Sequence, residues 1–287
     1  MAIIPERALA MAIPEVAQTY TQRDAMIYAL GIGIGHDPMD EGQLGFVYER
    51  GLKAVPTMAV VLGETIDWVY HDDLGIDVNQ SLHGAERVIL HRPLPPSGRV
   101  AGRMKITGLS DKGAGRGAVV VARKELTCAE TGVHLATVER TAFARADGGF
   151  GGTHGVPPEA PHPLPERAPD HSIDLPTIPQ AALLYRLSGD YIPLHADPAL
   201  ARAAGFERPI LHGLCSLGIA CHAVLRLVCD YDPSRIAEIG CRFTAPAYPG
   251  ETLTVDLWRD GATVSFRATV RDRGITAISN GRAILRA

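Results

Sequence analysis

An acid stands five residues before a histidine in the stretch Tyr185–Gly218, where Asp190 and His195 are separated by a short apolar spacer containing Pro193. Gly189 lies just ahead of them, and a second glycine-containing turn follows at His212-Gly213. A carboxylate and an imidazole on one proline-stiffened segment make a proton-transfer pair that can work near neutral pH. The Gly213 turn opens an apolar run, Leu214 to Val228, that reads as a buried helix. The start of such a helix offers bare backbone N–H groups to a developing negative charge. Two tools for one reaction within one segment point to an enzyme.

The other reactive residue types carry less. Cys128, Cys215, Cys221, Cys229 and Cys241 have none of the paired spacings of a zinc site. His222 beside Cys221 falls in an apolar helical pattern, where small buried residues are the ordinary reading. Cys215 has no base pattern attached and reads as helix packing. Gly31, Gly33 and Gly35 follow a helical pattern rather than a strand, which is the wrong context for a nucleotide loop. Unpaired cysteines fit a reducing cytoplasm.

The elements that must position the pair are readable from periodicity. Arg23–Ile34 and Ala54–Leu62 look helical or buried, and runs at 86–91, 99–109, 117–128 and 133–145 read as strands. The second half repeats the order: helical patterns at 196–204 and 214–228, then strands at 237–243, 252–259, 263–271 and 275–285. A helical region followed by a meandering antiparallel sheet, twice over, predicts an α+β fold. Eight of the 21 prolines fall between Pro157 and Pro179, after the glycine cluster Gly148–Gly152. That composition predicts an extended linker over 151–175, between an N-terminal half (1–150) and a C-terminal half (176–287). The halves read as a diverged duplication. Tyr28-Ala-Leu30-Gly31-Ile-Gly33 lies on Tyr185-Arg-Leu187-Ser188-Gly189-Asp190, which sets Gly33 against Asp190 and Pro38 against His195. The first half then lacks both the acid and the imidazole, and one catalytic site per chain follows.

Composition narrows the partners. The chain has 287 residues, 46% hydrophobic and 21% charged, with a formal net charge of -4. It therefore carries no basic footprint for nucleic acid. No apolar run approaches the roughly 20 residues needed to span a bilayer, and the N-terminal stretch, broken by Pro5, Glu6 and Pro14, does not read as a signal peptide.

With these residues in view, the chain resembles the MaoC-like enoyl-CoA hydratase 2 family, built from two hot-dog folds. The resemblance rests on Tyr185–His195 and Pro209–Cys215. It extends to Ala29-Leu30-Gly31, Phe46–Glu49, Pro56-Thr57, Leu82-His83-Gly84, Asp111-Lys112-Gly113, Gly148–Gly152, Arg242-Phe243 and Tyr248–Gly250. It implies a double hot dog, with antiparallel sheets wrapping central helices, whose degenerate first half accommodates the acyl chain. Ala54, Val55 and Ala59 are candidates to line that tunnel.

The activity implied is (3R)-specific hydration of trans-2-enoyl-CoA in fatty-acid β-oxidation chemistry, by a homodimer that needs no metal or redox cofactor. CoA enters only as part of the substrate. Asp190 and His195 match the catalytic pair, and the Gly213 N–H matches the oxyanion donor. His83, Gly84, Lys112 and Phe243 match positions contacting the CoA ester, with Tyr191 and Ile192 beside the pair, and Glu49 matches a carboxylate important for activity. Ile192 departs from the pattern, which has an asparagine there to hold the water. That departure keeps two alternatives open: a hot-dog thioesterase, and an acyl-CoA-binding protein without turnover.

Overall fold

A computed structural model describes residues 3–64, 69, 71 and 74–286, the side chain of Asn79 excepted. The first half contains helices α1 (Pro5–Ala10), α2 (Gln22–Gly31) and α3 (Glu41–Val47) with strands β1 (Val16–Tyr20), β2 (Ser81–Leu90), β3 (Gly98–Asp111), β4 (Ala118–Cys128) and β5 (His134–Ala144). Short strands β6 (Thr153–Gly155) and β7 (His171–Pro176) bracket the proline-rich stretch. The second half adds α4 (Ala181–Tyr185), α5 (Pro198–Ala203), α6 (Gly213–Val228), β8 (Ile236–Phe243), β9 (Thr252–Asp260), β10 (Thr263–Val270) and β11 (Ile275–Leu285). The apolar pattern expected to be helical or buried over 54–62 is a buried 3-10 turn, Pro56–Val60, which Pro56 opens.

The strands of both halves join one antiparallel sheet in the order β1-β3-β4-β5-β2-β8-β11-β10-β9-β7, with β6 paired to β3 off that path. The seam between halves is the antiparallel pair β2–β8, with Ala85 opposite Arg242 and Val88 opposite Ile239. Proline confines β7 to the outer edge, where it pairs only with β9. The sheet curls around α6. This helix is apolar nearly all round and buries thirteen residues, including Leu217, Ala220 and Val224, the pattern of a helix wrapped on every side. Tyr28, Ile32, Leu217, Val224, Ile239 and Phe266 belong to one core, so the two halves share their interior. α1 covers a smaller cluster with Met104, Leu109 and Val120.

Candidate active site

The chain enters the site through a sharp turn. Gly189 has φ +121°, a conformation that residues with a Cβ rarely adopt. It releases the backbone from the 3-10 turn Arg186–Ser188 and delivers Asp190. Two residues later Pro193 starts the 3-10 turn that carries His195. The Ile192 N–H donates to the Asp190 Oδ1 at 3.3 Å and so orients the carboxylate. That bond comes from the main chain, so the isoleucine side chain leaves it intact.

His195 is 8% exposed. Its Nδ1–H donates to the Ile210 carbonyl at 2.9 Å. Since a carbonyl only accepts, this bond fixes the tautomer and leaves the Nε2 lone pair free. Burial holds the His195 pKa below its ordinary value, against the opposing pull of the Ile210 bond and the Asp190 charge. The imidazole is therefore neutral and basic at pH 7.

His212, which the sequence presents only as part of a turn, forms the floor of the site. Its ring stacks on His195 with centroids 3.7 Å apart and 26° between planes, and the tilted Tyr185 ring lies 5.0 Å from it. His212 Nε2–H donates to the Asp190 carbonyl at 3.2 Å, which ties the α6 entry to the Asp190 loop. Burial, then the neighbouring His195, drive its pKa far down, so it stays neutral.

One Asp190 carboxylate oxygen and one ring nitrogen from each of His195 and His212 lie within 4.8 Å of one another. Each ring commits one nitrogen to a main-chain carbonyl, which leaves one nitrogen per ring for proton exchange with the Asp190 carboxylate.

Gly213 is the first residue of the sixteen-residue α6, whose N-cap, His212, gives no side-chain cap. Its N–H belongs to the unpaired set at a helix start, at the positive end of the dipole. A Cβ on Gly213 would lie 3.2–3.4 Å from three Phe243 ring atoms. Glycine thus lets Phe243 close over the helix start. Phe243 in turn meets His83 edge-on, with ring centroids 4.8 Å apart. His83 lies on β2, so the first half contributes a side chain to this site.

A bulge explains how His83 gets there. Residues three apart on a regular strand face opposite sides, yet His83 Nε2 lies 2.8 Å from Glu86 Oε2. The β2–β5 register slips between His83 and Ala85, and Gly84 is the extra residue that turns His83 to the inner face. Glu86 is buried there, opposite Arg140 on β5, which it meets at 3.2 Å. Arg140 continues to Glu64 at 3.3 Å, and Glu64 to the wholly buried Lys124 at 2.6 Å. Burial opposes ionisation of Glu86, but Arg140 and the His83 bond keep its pKa below the ordinary carboxylate value. Burial pushes the Lys124 ammonium down, and Glu64 resists that shift. Sequence reasoning missed this array. Its signal was a charge on the apolar-facing register of three strands: Glu86 with Val88, Lys124 with Leu126, and Arg140 with Val138.

The remaining predicted positions are dispersed. Gly84 and Lys112 border a groove of about 720 Å³ on the opposite face of the sheet, beneath residues 156–162. Lys112 is exposed, and the groove it borders is lined by neither Asp190 nor His195. Tyr191 is 57% exposed, with the Arg186 guanidinium 5.2 Å from its ring centroid. Glu49 is exposed in the turn after α3 and makes no hydrogen bond or ion pair among the described residues. Ala54, Val55 and Ala59 are packed into the core and line neither this groove nor the smaller cavity beside His222. All five cysteines are unpaired, and Cys215 donates its thiol hydrogen to the Gly31 carbonyl at 3.3 Å. Among the described residues no helix is long and apolar enough to cross a membrane.

A half-buried aspartate and a buried histidine beside a glycine helix start, on two hot-dog halves fused through one sheet, define a MaoC-like protein. The MaoC-like domain model matches residues 161–280, and the MFE-2 hydratase 2 N-terminal domain model matches residues 18–146. The chain is similar to the enoyl-CoA hydratase ChsH3 of Mycobacterium tuberculosis, with 40% identity over 274 residues, 93% of this chain and 94% of that one. It is 37% identical to the peroxisomal enoyl-CoA hydratase 2 of Arabidopsis thaliana, covering 94% and 92% of the two chains. The crystal structure of a MaoC-like dehydratase from Phytophthora capsici superposes with a TM-score of 0.89 at 31% identity, over 99% of this chain and 98% of that one. The chain belongs to the enoyl-CoA hydratase 2 family of MaoC-like hydro-lyases.

Proposed function

We propose that the protein hydrates trans-2-enoyl-CoA to (3R)-3-hydroxyacyl-CoA, reversibly, at the Asp190–His195–Gly213 site. The observation that carries this reading is the tautomer of His195. With Nδ1–H given to Ile210, Nε2 and the Asp190 carboxylate face the same space as a base and its partner.

A water held between them attacks C3 of the conjugated thioester. Its oxygen bonds to C3, the pair takes one of its protons, and the C2–C3 π electrons move toward the carbonyl. The enolate oxygen then accepts from the Gly213 N–H, a kind of donor whose loss costs about 3–4 kcal/mol. A proton delivered from the same pair to C2 completes syn addition. Both protons of the water are accounted for, and the carbonyl re-forms.

The intact pair and free helix-start N–H favour hydration over a thioesterase or a silent binding protein, neither of which needs a proton delivered at C2. His83 and Phe243, next to Gly213, would border the thioester end, and the first half would hold the acyl chain. The five unpaired thiols support a cytoplasmic setting, and a homodimer is the expected assembly.

The test is loss of conjugated-enoyl absorbance with short-, medium- and long-chain trans-2-enoyl-CoA, with the product resolved on a chiral column. The expected product is the (3R)-alcohol, with turnover reduced on the order of 10²–10⁴ in Asp190→Asn. Release of free thiol without hydration, or an unchanged Asp190→Asn rate, would overturn the reading.

A further inference from the structure

Resting on that reading of the site, we propose that Glu86 is a positioning residue that fixes the tautomer of His83, so that His83 grips the pantetheine arm of the substrate through Nδ1. An ionised carboxylate has no proton to donate, so the 2.8 Å contact requires hydrogen on His83 Nε2. In the tautomer so fixed, the Nδ1 lone pair is the remaining polar function of the ring. The donor of an acyl-CoA nearest the thioester sulfur is the amide N–H of the cysteamine end of the pantetheine arm, which is the complement of such an acceptor.

Three features support a positional role. Glu86 is wholly buried, as is Lys124, while Arg140 and Glu64 are 12% and 15% exposed. Buried ion pairs are on balance a weak source of stability, because desolvation offsets the Coulomb gain. The array also spans three adjacent strands, β4, β5 and β2, and ends on His83, a side chain that the first half lends to the site. Finally, Arg140 is held strongly protonated, against the cost of its burial, by Glu86, then Glu64, with a smaller contribution from Asp190. The same guanidinium that anchors Glu86 therefore lies within electrostatic reach of the proposed base pair.

The test combines kinetics with histidine nitrogen NMR on the full-length protein. The wild type is expected to show the Nε2–H tautomer at His83. Glu86→Gln, which has both a donor and an acceptor, should leave that tautomer mixed. Its KM for a trans-2-enoyl-CoA should rise about 10-fold with kcat within a few-fold of wild type. Because removing one buried charge can unfold the chain, the paired variant Glu86→Leu with Arg140→Leu keeps the test available. It should fold, lose the tautomer preference and show the same rise in KM. A wild-type Nδ1–H tautomer, or an unchanged KM beside an altered tautomer, overturns the proposal. If no chain length is hydrated, the function fails separately, and calorimetric binding of acetyl-CoA to the same variants takes the place of KM: tenfold weaker binding supports the gripping role and unchanged binding overturns it.

Discussion

Replacing Lys124 with methionine should destabilise the protein by about 3–5 kcal/mol. The ammonium has no solvent exposure. It donates to the Val60 carbonyl at 3.1 Å, the Leu62 carbonyl at 2.9 Å and the Glu64 carboxylate at 2.6 Å. Methionine fills nearly the same space and recovers apolar burial, but it leaves two carbonyls without a donor, at about 1 kcal/mol or more each. It also strands part of the Glu64 charge. Arg140 remains 3.3 Å from Glu64, which places the expected loss at the lower end of the range. For a domain of this size each kcal/mol moves Tm by about 2–4 °C, so the melting temperature should drop on the order of 10 °C. Urea titration gives the free energy directly, with an unchanged m-value as the check that cooperativity survives. The paired variant Lys124→Met with Glu64→Leu should recover part of the loss, because both charges leave together. A loss under about 1 kcal/mol in the single variant would mean that Lys124 is not bearing a buried charge, and the argument for the array would fail.

Ile192→Asn should change turnover by no more than a few-fold, because the carboxylate is already oriented by the main chain at that residue; a gain comparable to the loss in Asp190→Asn would refute this ranking. Gly213→Ala should lower turnover roughly 10-fold by pushing Phe243 a few tenths of an ångström off the helix start, with Tm nearly unchanged; a wild-type rate would show that the Phe243 approach is dispensable. His222 is buried with neither ring nitrogen bonded, and burial followed by Arg226 brings its pKa down to about 4. The unfolded chain binds this proton below about pH 6.5 and the folded chain only near 4, so stability from this group falls as pH drops through that window, by up to about 3 kcal/mol. His222→Phe should therefore flatten the acid side of a Tm–pH curve, and an identical slope in the variant would remove His222 as the cause.

The catalytic segment was legible because its geometry is local. A Gly189 turn, a proline-started 3-10 turn and an apolar helix are all set by residues within about forty positions of one another. The long strands were likewise readable from alternation, and β11 falls where the sequence places it, at Ile275–Leu285. What alternation cannot give is the pairing between distant segments. The β2–β8 seam, the bulge at Gly84 and the meeting of Glu86 with Arg140 all depend on which strand lies beside which. His212 was visible in the motif, but its stacking on His195 follows from the approach of two loops rather than from spacing.

The seam between β2 and β8 also has a consequence for biosynthesis. Ala85 must wait for Arg242, about 150 residues later, before its strand finds that partner. At the usual 5–20 residues per second, β2 leaves the ribosome with one edge unpaired for roughly 10–30 s. Such an edge invites pairing with other nascent chains. Adjacent charges at Glu86 and Arg87 interrupt that strand on both of its faces, so the buried ionic array and the outer arginine also act as gatekeepers against edge-to-edge aggregation until the second half is made.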